Sequence, residues 1–71
     1  MIVKADMIEC KSGRKLGMMT VHAVDTTDAL QRMCELAKTQ NPKASVSKNA
    51  VHPGGPGGDQ IWVLRKPEPA N

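Results

Sequence analysis

Apolar and polar residues alternate over residues 2 to 9, Ile-Val-Lys-Ala-Asp-Met-Ile-Glu, the period-two pattern of a strand. Val3, Ala5 and Met7 fall on one face, with Ile2, Lys4, Asp6 and Ile8 on the other. Lys11-Ser12-Gly13-Arg14 is polar, and Gly13 can take the positive φ of a tight turn. A second alternating stretch, residues 16 to 24, sets Met19, Val21 and Ala23 opposite Thr20 and His22. Two such stretches around a short glycine-containing turn predict a β-hairpin.

At Asp25-Thr26-Thr27-Asp28 the period changes. Short oxygen-bearing side chains suit an N-cap, and acidic groups suit the positive end of a helix dipole. Ala29, Leu30, Met33, Leu36 and Ala37 then recur at helical spacing, with Asp28 and Arg32 forming an i, i+4 pair outside that stripe. Asn41-Pro42 closes the helix, because the residue before proline is pushed out of the α region. Lys43 to Val51 alternates more weakly and reads as one edge strand. His52-Pro53-Gly54-Gly55-Pro56-Gly57-Gly58-Asp59 breaks both periods and reads as a flexible loop. Gln60 to Lys66 is the last strand, and residues 67–71 form a polar, proline-containing tail expected to be flexible.

The expected fold is α+β, hairpin–helix–hairpin (ββαββ), one domain over residues 1–66. A four-stranded sheet carries one helix across one face. In element order alone this resembles the β-grasp plan of ubiquitin-like and immunoglobulin-binding bacterial domains. That resemblance implies nothing about activity.

Strand parity has a consequence for function. If the helix covers the Val3, Ala5, Met7 face, the other face holds Ile2, Ile8, Met18 and Val24, with Cys10 a further candidate. In the last strand Ile61 and Val63 alternate with Trp62 and Leu64, and both sets are apolar. A strand apolar on both sides is normally covered on both, and one helix covers one. Trp62, Leu64, Met18 and Ile8 are therefore the candidate interface for a second copy or another protein. Trp62 stands out further because the chain has no Phe and no Tyr.

Composition narrows the alternatives. The chain has 71 residues, too few for a large core, which favours association with another chain. Two cysteines make no disulfide framework. No apolar stretch approaches the roughly 20 residues of a membrane span and no signal-peptide pattern is visible, so a cytoplasmic location is expected. The net charge of +3 and pI near 9.1 permit nucleic-acid binding without demanding it. The basic residues that would serve are Lys11, Arg14 and Lys15 at the first turn, with Lys4, Arg65 and Lys66 on the sheet; Lys48 is a further candidate.

Catalysis and metal binding find little support. Cys10, Cys34, His22 and His52 lack the paired spacing of a zinc site. Cys34 has no base nearby in sequence to activate it. The glycine-rich loop leads into a strand and ends in Asp59, unlike phosphate cradles that open a helix. No cofactor, metal or small-molecule substrate is expected. The expected role is a small non-catalytic interaction protein, a homodimer or a regulator or inhibitor of another protein such as mobile elements and phages carry. The alternative is a nucleic-acid-binding module.

Overall fold

The computed structural model describes residues 1–65; Lys66 and the expected tail at 67–71 lie outside them. Strands β1 (Ile2–Glu9) and β2 (Lys15–His22) form the expected hairpin. Helix α1 (Thr26–Lys38) begins at Asp25, whose side chain accepts the backbone N–H of Asp28 at 2.8 Å. Asp28 in turn accepts from the Val24 N–H and from Arg32, both at 3.0 Å. The Asp25 bond takes up a donor that the first helical turn leaves without a partner, and the Asp28 bonds tie the entering chain and Arg32 to that turn.

Beyond the helix the architecture departs from the four-stranded expectation. The stretch read as one strand is two, β3 (Ser45–Ser47) and β4 (Ala50–His52), folded back on each other across Lys48-Asn49. Strand β5 (Gln60–Leu64) then pairs with β4. The sheet has five strands in the order β2-β1-β5-β4-β3, and every neighbouring pair is antiparallel. The additional reversal matters for topology. With one strand fewer, the helix crossover would bring the last strand back parallel to β1. The turn at Lys48-Asn49 reverses the chain once more, so the two adjacent strands β1 and β5 run antiparallel.

The core lies between α1 and one sheet face. Ala29, Leu30, Met33, Cys34 and Ala37 are the helix's buried residues. They pack with Ala5, Val51, Ala44 and Trp62, and with the half-buried Met7, Met19, Val21 and Leu64. Val3 and Ala23 extend this packing beside Ala29. Small residues dominate the layer, and Trp62 fills the space they leave, 9% exposed.

Its position corrects the parity expectation. Ala5 pairs with Leu64 and Met7 with Trp62, and directly opposed residues of an antiparallel pair share a face. Trp62 and Leu64 therefore point toward the helix. Ile61 and Val63, opposite Ile8 and Asp6, are the β5 residues on the open side.

The loop after β4 is more tightly tied than its composition suggests. Gly55 and Gly58 donate backbone hydrogen bonds to His52 and Gly55, and Cys10 donates to Asp59 at 2.8 Å. Gly55 and Gly57 take φ of 81° and 79°. Gly55 is buried. The eight residues are thus a series of turns joining two adjacent strands, with one glycine packed inside.

Candidate interaction face

The sheet face away from α1 carries Ile2, Lys4, Asp6 and Ile8 along β1. Their partners on β2 are His22, Thr20, Met18 and Lys15. The register slips between Met7 and Ile8, because Leu16 is an extra residue on β2. Strict alternation would put Lys15 on the helix side with Gly17. The bulge turns it outward, and its Nζ lies 3.1 Å from Asp6 Oδ1.

Asp6 is the electrostatic centre of this face. Arg65 Nε donates to both of its carboxylate oxygens at 3.0 Å, and Lys15 binds it from the other side. The Arg65 hydrogen bond, aided by Lys15 and opposed by partial desolvation, holds the Asp6 carboxyl below its ordinary value. Asp28 is likewise lowered, by the Val24 N–H and then by Arg32. The sign of the linkage follows. A depressed folded-state pKa contributes stability that is fully present above the unfolded value of about 3.9 and is lost as pH falls through the folded value. Asp6→Asn is therefore expected to flatten the loss of stability below about pH 4, with Asp28's share remaining. Urea midpoints taken at intervals from pH 6 to pH 2 check this; parallel acid limbs for the two proteins would contradict it.

Exposed apolar side chains cluster around this centre and toward β2. Of the seven large hydrophobic residues that are exposed among those described, Ile2, Met18 and Val24 follow the open-face alternation of β1 and β2; Met1 lies opposite Ala23, Leu16 is the bulge residue, and the other two are Leu36 and Val46. Met18 is 45% exposed and Val24 81%. Ile8, Ile61 and Val63 form the half-buried floor beside them.

The backbone of β2 is open on the same side. The Met1 amino group donates to Ala23 O at 2.6 Å, and the Ala23 N–H donates back to Met1 O at 2.9 Å. That reciprocal pair sets the phase of the ladder. With the β1–β2 register it turns Val21, Met19 and Gly17 toward β1, and the N–H and C=O groups of Met18, Thr20 and His22 outward. Among the described residues no strand lies beyond β2. Edge strands are commonly protected by proline, lysine or a bulge. Here Lys15 and the bulge guard one end only. The opposite edge, β3, is three residues long.

Of the residues expected at an interface, Met18 and Ile8 stand on this face, whereas Trp62 and Leu64 do not. The Trp62 indole N–H reaches Gln60 Oε1 at 3.5 Å, toward a groove of about 580 Å³ between the helix end and the glycine-rich loop. Met7, Met19 and Leu36 also line that groove, and Asp59 is its one titratable lining group.

The expected nucleic-acid residues are divided. Lys11 and Arg14 are exposed at the first turn. Lys15 and Arg65 both engage Asp6, and Lys4 is exposed across from Thr20. Lys48 sits in the β3–β4 turn, and Lys66 lies beyond the described residues. The chain's single indole is on the other side of the sheet, so it is not available to stack on bases laid on the open face.

Cys10 is exposed and Cys34 buried, with the Cys34 thiol 4.0 Å from Ala44 O. Among the described residues no three His, Cys, Asp or Glu side chains are grouped to hold a metal ion. No helix there is long and apolar enough to cross a membrane. Compared with protein-family models, curated proteins and solved structures, the chain finds no match.

Proposed function

We propose that this chain is a non-catalytic interaction protein that holds another protein chain against the β1–β2 side of its open sheet face. The observation that carries this reading is the group of exposed Ile2, Met18 and Val24 on the open face beside β2, an edge strand with outward-facing backbone groups. Apolar side chains supply burial, and the ladder groups of Met18, Thr20 and His22 supply direction, as in strand addition to a sheet edge. The Asp6–Arg65–Lys15 group beside them supplies a polar rim.

Met18 is the residue to test, since it is exposed and its replacement leaves the helix-side core intact. Met18→Asp is expected to abolish association with the bound protein while the far-UV circular dichroism stays native. The loss should vary little between low and high salt, because apolar contact dominates. An association that instead weakens steeply with salt, and that is removed by replacing Lys11, Arg14 and Lys15 together, would make the chain a nucleic-acid-binding module and overturn this reading.

A further inference from the structure

The β2 edge is self-complementary, and we infer that its occupant is a second copy of this chain, paired antiparallel through β2 about a twofold axis at Thr20. This rests on the reading of the β1–β2 side as a protein-contact surface, and it names the partner.

The phase of the ladder limits how two such edges can meet. Outward N–H and C=O groups belong to Met18, Thr20 and His22, so these even-numbered residues must exchange hydrogen bonds with even-numbered residues of the partner. Centred on Thr20, the register sets Thr20 against Thr20, Met18 against His22, and His22 against Met18. All three side chains stand on the open face, so the pairing continues that face from one protomer into the next. The Val24 N–H is already donated to Asp28, which ends the ladder at His22.

The same register places the flanking groups in complementary positions. The basic turn of Lys11 and Arg14 advances toward Asp25 at the start of the partner's helix. Asp28 is engaged with Arg32 and Lys15 with Asp6, so Lys11, Arg14 and Asp25 supply the long-range attraction. Pairing two copies parallel would bring basic turn against basic turn. The isologous antiparallel arrangement is also the closed one, since each edge is consumed by its twin. The result is one sheet of doubled width with a helix from each protomer on the same side.

Sedimentation of the full chain tests the pairing. The wild-type protein is expected at twice its monomer mass at micromolar concentration. Thr20→Pro removes the outward N–H at the axis without touching the bonds to β1, a position where an edge strand tolerates proline. Thr20→Glu instead sets two like charges opposite each other and leaves the backbone alone. Each should raise the dimer dissociation constant by about tenfold or more, with circular dichroism and Trp62 emission still native. A wild-type protein that stays monomeric at hundreds of micromolar overturns the second copy as occupant. So does a dimer that both variants leave intact, because its interface then lies elsewhere. The broader reading fails separately: it falls if Met18→Asp alters neither self-association nor the capture of any other protein.

Discussion

Trp62→Ala is expected to remove about half or more of the protein's stability at room temperature. Removing a large buried aromatic side chain costs about 3–5 kcal/mol, and a chain of this length has a total stability on the order of 4–10 kcal/mol. The loss should fall in the upper part of that range. Trp62 is the single aromatic residue, and its neighbours Ala5, Ala37 and Ala44 have no long side chains with which to refill the space. Met7 and Met19 are flexible and border the groove beside the ring, so they are the residues able to move inward. Urea titration followed by far-UV circular dichroism measures the effect at a fixed protein concentration, since the proposed pairing through β2 would make apparent stability concentration-dependent. Wild-type Trp62 should emit at short wavelength in the monomeric Thr20→Glu protein and shift to the red in urea. A Trp62→Ala protein as stable as wild type, or a native emission already red, would show that the indole is not part of the helix-side core.

The first hairpin and the helix were legible because their signals are local. Alternation identifies β1 and β2, and Asp25 with the following apolar stripe identifies α1. What the pattern could not decide was register. Ile61-Trp62-Val63-Leu64 is apolar at both parities, so either pair could face the helix, and only the pairing of Met7 with Trp62 selects one. A size signal did exist. A helix face carrying Ala29 and Ala37 over a strand carrying Ala5 leaves room for one large ring, and the chain has just one. The turn at Lys48-Asn49 was hidden for a different reason. Ser45 to Ser47 and Ala50 to His52 alternate through it almost without interruption, and neither turn residue is glycine or proline. The bulge at Leu16 was equally silent, yet it is what carries Lys15 to Asp6. Of the four residues expected at an interface, two stand on the open face. Met18 and Ile8 depended on the parity of one well-patterned hairpin, whereas Trp62 and Leu64 depended on a long-range pairing.

Gly55→Ala and Gly57→Ala should destabilise the protein unequally, although the two glycines share nearly the same positive φ. Any L-residue in that region costs about 1–2 kcal/mol, so both substitutions carry this strain. A Cβ on Gly57 would meet nothing within 4 Å. On Gly55 it would stand 2.8 Å from the Lys43 carbonyl oxygen and 3.3 Å from the Lys43 Cβ. The first of these is backbone and cannot swing aside as the end of a side chain could. Relieving it must displace either the loop or the segment entering β3, where the buried Ala44 packs beside Cys34. Overpacking of this kind adds about 1–3 kcal/mol, which puts Gly55→Ala near 3 kcal/mol and Gly57→Ala nearer 1–2. Matched urea curves of the two variants measure the difference directly. Equal midpoints would mean that the glycine-rich loop does not pack on Lys43. Unequal ones would mean that residues 52–59, flexible by composition, are held against the fold by one buried glycine.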